Sequence, residues 1–183
     1  MPKPAAIDDE LMAKARAERA RFLAAQPQVT PMLVIGERMK STQMFVDTLD
    51  IADGADFKAD ICDYRSLAAA GFKENAYETV VIQEVLEHTL FPASALENIR
   101  ALMKPGGLLI GSTPLNARIH GPLPDLWRWT IHGLRAELVN WDDVRIEAIE
   151  SDRPLFPAGY NFTARCQKVQ MRYVGDMKRD REP

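Results

Sequence analysis

The side chains best suited to chemistry gather in one stretch of this chain, between Gln83 and His132. Three histidines fall there, His88, His120 and His132, with Glu84 and Glu87 just before the first and Asp125 five residues after the second. A neutral imidazole suits proton transfer near physiological pH. His120 lies in a Pro/Gly-rich segment, IHGPLPD, close enough in sequence for Asp125 to orient its ring, so it reads as a general base or a substrate contact. His88 reads either as a base or as a packing histidine at a helix end, and His132, inside a predicted helix, as structural or solvated. Trp127, Arg128 and Trp129 form an aromatic–cationic cluster. It would line a pocket for a sugar ring or another polar acceptor, or else Trp129 anchors the loop while Arg128 pairs with Asp125. The histidine spacing matches no metal-ligand pattern, so no metal is expected. No Ser-His-Asp motif or Walker loop is present either, and no strand framework of a paired-carboxylate hydrolase accompanies Glu84 and Glu87.

The elements that must hold these residues follow from hydrophobic pattern. Residues 7–25 are strong helix formers, with Leu11, Ala15, Phe22 and Leu23 at roughly helical spacing and Pro27 as a stop. Short apolar runs then alternate with helices. Strands are predicted at 32–35, 45–51, 57–61, 79–82, 108–110, 144–149 and 163–173, and helices at 92–103 and 130–140. Lys104-Pro-Gly-Gly107 is expected to be a turn. The pattern predicts an α/β domain with a mostly parallel sheet and an antiparallel edge strand. The expected organisation is a helix over 1–26, a main domain over 30–174 and a frayed charged tail over 175–183. With 183 residues, 46% hydrophobic residues and a formal net charge of -3, the chain offers no electrostatic case for nucleic acid. No apolar run reaches the roughly 18 residues of a membrane span. The two cysteines, Cys62 and Cys166, form no disulfide framework, and a cytoplasmic protein is expected.

The stretch YETVVIQEVLEHTLFPASALENIRALMKPGGLLIGSTP, continued by IHGPLPDLWRWTIHGL, resembles class I S-adenosylmethionine-dependent methyltransferases of the type 11 group. In that family a strand ends in an acidic, Leu-Glu-His-like segment, here Glu84 and Leu86-Glu87-His88. A helix then leads to a Lys-Pro-Gly-Gly turn, here Lys104 to Gly107. The resemblance implies a Rossmann-like sheet, with S-adenosylmethionine bound through Gly36, Asp50, Asp60, Ile61 and Gln83. It also implies a small-molecule acceptor, a saccharide or lipid-linked intermediate, facing His120, Asp125 and Arg128. A carboxylate such as Asp50, at the end of the second strand, suits two ribose hydroxyls.

One segment departs from the family. After the first strand the chain reads VIGERMKSTQMF, so Glu37, Arg38, Met39 and Lys40 stand where glycines let backbone approach the cofactor. Asp50 lies 14 positions after Gly36, against about 20 in nucleotide-binding loops. Only eight residues separate Gly36 from Phe45, whereas a crossover with its helix needs about 10–12. The first crossover helix is therefore expected to be shortened or missing. Two functions remain open on this reading: a methyltransferase, or a catalytically inactive protein of the same fold that binds a partner. The second predicts a cleft filled by Arg38, Met39 or Lys40. The uncovered sheet surface would then be met by an oligomer contact, a helix from another chain, or the helix at 7–25.

Overall fold

The computed structural model of the protein describes residues 4–151 and 155–167. Its elements in chain order are α1 (Pro4–Ala25), β1 (Met32–Ile35), β2 (Val46–Asp50), β3 (Phe57–Lys58), α2 (Tyr64–Ala69) and β4 (Tyr77–Gln83). A 3-10 turn at Leu86–His88 follows, then α3 (Pro92–Leu102), β5 (Met103–Pro114), α4 (Ile131–Glu137), β6 (Trp141–Ile149) and β7 (Gly159–Cys166). The strands form one sheet in the order β3-β2-β1-β4-β5-β7-β6. β1 to β5 run parallel, as Leu33 opposite Val80 and Val80 opposite Leu109 illustrate.

As expected, the sheet is mostly parallel with antiparallel pairing at one edge. β7 inserts antiparallel between β5 and β6, with Ile110 opposite Thr163, and β6 at the edge pairs antiparallel with β7. β7 also begins at Gly159 rather than near residue 163. Residues 168–173 of the predicted last strand, and the predicted tail, lie outside the described residues. Lys104–Gly107 differs too: it is an irregularity within β5, since Tyr77 pairs with Met103 and Thr79 already with Leu108. Gly106 sits there at φ +81°, which absorbs the excess chain.

Alternation along the strands separates two apolar faces. Leu33, Ile35, Val80, Ile82 and Leu109 face Leu67 of α2, Leu96 and Ile99 of α3, and Leu134 of α4. Met32, Val81, Leu108 and Ile110 face the other way, against Phe22 and Leu23 of α1. Further along α1, Ala15 and Leu11 pack with Ile149 and Ala158. No helix lies between β1 and β2, as the short spacing predicts.

Candidate functional site

The chain leaves β1 outward through β2 and β3, then returns to place β4 on β1's other side. Open α/β sheets bind ligands at such a reversal, beyond the carboxyl ends of the strands. A cleft of about 820 Å³ lies there, bordered by Gly36 after β1, Asp50 at the end of β2, Asp60 and Ile61 after β3, and Val85 and His88 after β4. That volume is within the range of small-molecule and cofactor sites. Residues 121–124 contribute its remaining wall.

Each polar border residue is held by local bonds. Asp50 keeps Oδ1 on the Ala52 amide at 2.7 Å, while Oδ2 lies 3.7 Å from Arg38 Nε. Asp60 Oδ1 accepts from the Cys62 amide, and Asp63 caps α2 by accepting from the Arg65 amide. The Ile61 carbonyl accepts from Asn98 Nδ2 of α3. Gly36 has φ +86°, and a Cβ there would run into Val85 Cγ2, so backbone passes close to the opposite wall. Among the residues that replaced glycines, Met39 is 72% exposed and Arg38 borders the cleft without closing it. The site fits S-adenosylmethionine on these grounds: a bare-backbone passage at Gly36, a carboxylate at the end of β2, and an open volume between them.

A second cavity of about 540 Å³ adjoins the first. Met12, Arg16, Arg19 and Leu23 of α1 line one side, and Gln83, Glu84 and His120 the other. Gln83, expected on the cofactor side, thus borders this second cavity, where its Nε2 reaches the Arg19 carbonyl at 3.5 Å. Glu84 borders both cavities. It holds a left-handed backbone at φ +54°, takes a hydrogen bond from Ser112 Oγ, and lies 3.5 Å from the buried Arg19 guanidinium.

Behind this wall stands a cluster that sequence spacing did not reveal. Glu87 is wholly buried, and neither of its carboxylate oxygens has a hydrogen-bond partner among the described residues. Burial, with the nearby Glu84 charge, pushes its carboxyl up to about 8. His88 Nε2 and His120 Nε2 lie 3.7 Å and 3.6 Å from Glu87 Oε1, and the two rings meet edge to face. Asp125 accepts from the His120 amide and lies 3.1 Å from its Nδ1. Arg128 grips both oxygens of Asp125, Nη2 at 2.7 Å, and holds that carboxyl well below the usual carboxylate range. Asp125 and Arg128 therefore border neither cavity; they stand behind His120 and set its position. Trp129 is buried, stacked near Trp127, whose indole donates to the Thr89 carbonyl. His132 is exposed on α4.

Arg19 is a functional candidate that sequence reasoning passed over, and Glu87 one whose burial it did not foresee. Arg19 sits on α1, far from the recognised segment, and nothing in the local sequence marks it. Glu87 had a signal, a carboxylate between Leu86 and His88, but its burial depends on the tight 3-10 turn.

A family model described as "Methyltransferase domain" matches residues 12–153. A ubiquinone biosynthesis O-methyltransferase from Paraburkholderia xenovorans is 33% identical over 86 residues, covering 45% of this chain and 37% of that protein. The hybrid PKS-NRPS synthetase fsa1 of a Fusarium species is 35% identical over 89 residues, covering 43% of this chain and 2% of that protein. The chain thus spans little more than a third of the first relative and a small part of the second. Among solved structures, a SAM-dependent methyltransferase from Archaeoglobus fulgidus aligns at TM-score 0.59 and 17% identity, covering 84% of this chain and 93% of that one. A Burkholderia thailandensis 1,6-didemethyltoxoflavin-N1-methyltransferase aligns at TM-score 0.59 and 16% identity, covering 85% and 79%. The chain belongs to the class I S-adenosylmethionine-dependent methyltransferase family.

Proposed function

We propose that the chain transfers a methyl group from S-adenosylmethionine to a small-molecule acceptor held in the second cavity. The observation that carries this reading is the open cleft beside Gly36 with Asp50 on its rim. A filled cleft was the mark of the inactive alternative, and Met39 instead points to solvent. When bound, S-adenosylmethionine supplies an electrophilic methyl group, so the protein's task is mostly alignment.

In this reading Asp50 receives the ribose hydroxyls, with Arg38, 55% exposed at its side chain, swinging aside. Asp60 and Ile61 receive the adenine. The acceptor lies between α1 and the end of β4, where Met12 and Leu23 offer apolar surface and Arg16 and Arg19 offer positive charge. That mixture suits a molecule with an apolar body and a polar or anionic group, a lipid-linked intermediate rather than a bare saccharide. His120, fixed by Asp125 and Arg128, faces it. The names of two relatives, a ubiquinone biosynthesis O-methyltransferase and a toxoflavin N1-methyltransferase, agree with a small-molecule acceptor.

Calorimetric titration with S-adenosylmethionine and S-adenosylhomocysteine tests the reading. Wild type is expected to bind, and Asp50→Ala, which loses charge-assisted hydrogen bonds worth about 1.5–3 kcal/mol, to bind about 10- to 100-fold more weakly. Absence of heat or thermal shift in wild type at about millimolar ligand, far beyond useful affinity, refutes it.

A further inference from the structure

Glu87, His88 and His120 converge on one point from two separate segments. The first two lie on the 3-10 turn after β4 and the third on the loop after β5. One ligand atom from each lies within 4.8 Å of the others. Their hydrogen bonds decide which imidazole nitrogen carries a proton. His88 Nδ1 lies 3.0 Å from the Pro124 carbonyl, which can only accept. His120 Nδ1 faces the Asp125 carboxylate at 3.1 Å and the Arg118 carbonyl at 3.2 Å, both acceptors. Neutral rings so placed carry hydrogen on Nδ1 and turn the Nε2 lone pair toward Glu87.

Three electron-pair donors therefore face one another, one of them a buried carboxylate without a hydrogen-bond partner among the described residues. Burial of an unpaired ionised carboxylate is costly, and a cation held between these donors offsets that cost. The separations of 3.6 Å and 3.7 Å from Nε2 to Oε1 are long for a hydrogen bond. They match two ligands about 2.1 Å from a shared ion at a tetrahedral angle, which lie about 3.4 Å apart. The Arg128 guanidinium acts on Glu87 only through space, since its own hydrogen bonds go to Asp125 and to the Trp127 and Arg118 carbonyls. The outer contacts complete the pattern of a metal site: a carboxylate behind one histidine and a backbone carbonyl behind the other.

We propose that Glu87 Oε1, His88 Nε2 and His120 Nε2 bind a divalent transition-metal ion of the zinc type. Two imidazoles and one carboxylate favour such an ion over magnesium or calcium, which prefer all-oxygen sets. The site lies in the wall between the two cavities, because His88 borders the cofactor cleft and His120 the second cavity. A three-ligand site keeps a coordination position open, as catalytic metal sites do. An acceptor hydroxyl taking that position would be polarised for attack.

The test is independent of methyl transfer, because it needs neither cofactor nor acceptor. Protein freed of metal by a chelator is titrated with Zn²⁺, Co²⁺ and Mg²⁺ by calorimetry, and the Co²⁺ form is read by visible absorption. One equivalent of Zn²⁺ or Co²⁺ is expected, bound more tightly than Mg²⁺. Glu87→Gln and His120→Asn are expected to weaken Co²⁺ binding about 100-fold or more and to change the absorption band. Asp125→Asn, acting through His120, is expected to weaken it about tenfold. His132→Asn, a change at an exposed histidine, should leave it unaltered. If Glu87→Gln does not fold, His120→Asn on its surface loop decides the matter. No stoichiometric uptake by wild type, equal uptake by wild type and His120→Asn, or preference for Mg²⁺ overturns the proposal. Any of these would leave a proton, not a metal, as the charge that Glu87 shares.

Discussion

Gly36→Ala isolates the one glycine retained in the altered loop. Two separate costs follow from the structure. The position has φ +86°, where a Cβ costs about 1–2 kcal/mol. The added methyl also runs into Val85 Cγ2, and forcing extra carbon into packed space costs about 1–3 kcal/mol more. The sum, about 2–5 kcal/mol, lowers the midpoint of thermal unfolding by about 5–15 °C for a chain of this size. Val85→Ala separates the two costs, because the next wall atom, Val85 Cβ, lies at an ordinary 3.8 Å. In that background Gly36→Ala should retain only the backbone part. A double-mutant cycle by chemical denaturation is expected to give a favourable coupling of about 1–3 kcal/mol. Coupling below about 0.5 kcal/mol, the scatter of independent sites, refutes the steric part of the reasoning.

Phe162→Ala should destabilise by about 3–5 kcal/mol, since the ring is fully buried against Gly111 and the void cannot collapse easily; equilibrium unfolding in urea measures it. Arg38→Ala should leave S-adenosylhomocysteine affinity within about threefold or tighten it, because its contact with Asp50 is long, at 3.7 Å, and solvated on the Arg38 side; calorimetry showing a loss beyond tenfold would mean that Arg38 itself holds the cofactor. The carboxyl of Asp56 is held below its ordinary value, first by the Ser41 amide and then by the Thr48 hydroxyl and amide. A depressed carboxyl stabilises above the unfolded value, about pH 4, and that part is lost as pH falls further. Asp56→Ala should therefore cost about 1 kcal/mol at pH 7 and less at pH 3, as unfolding curves at the two pH values will show.

The fold was legible where the pattern was local. β1, β4 and α3 are apolar runs with clear stops, and the short distance from Gly36 to Phe45 pointed to a shortened or missing helix between β1 and β2, where the structure has none. What the pattern missed depends on partners distant in sequence. Lys104-Pro-Gly-Gly reads as a turn because turn residues dominate it, yet Met103 is already paired to Tyr77, so the strand starts before it. Gly159 and Tyr160 belong to β7 through their pairing with Pro114 and Thr113, which no single segment displays. Gly36, Asp50, Asp60 and Ile61, singled out near strand ends, all border the first cleft. Gln83 borders the second cavity instead, because a strand's last residue points to one face or the other and the sequence does not say which. The meeting of His88 with His120 was invisible for a different reason: 31 residues, among them all of α3 and β5, separate them.

The missing crossover helix and the N-terminal helix are one structural fact. Without a helix between β1 and β2, the face formed by Met32, Val81, Leu108 and Ile110 would be open to water. Phe22 and Leu23 of α1 pack there instead. Burial of a large apolar side chain contributes at most about 1.5–3 kcal/mol, and these contacts hold α1 together with Leu11 and Ala15, which pack on Ile149 and Ala158. Laid in that position, α1 carries Met12, Arg16 and Arg19 to the rim of the second cavity. Arg19 is then buried against Glu84, the residue that borders both cavities. The helix that replaces lost cover thereby forms part of the acceptor wall, and loosening its apolar contact should weaken acceptor binding before it weakens cofactor binding.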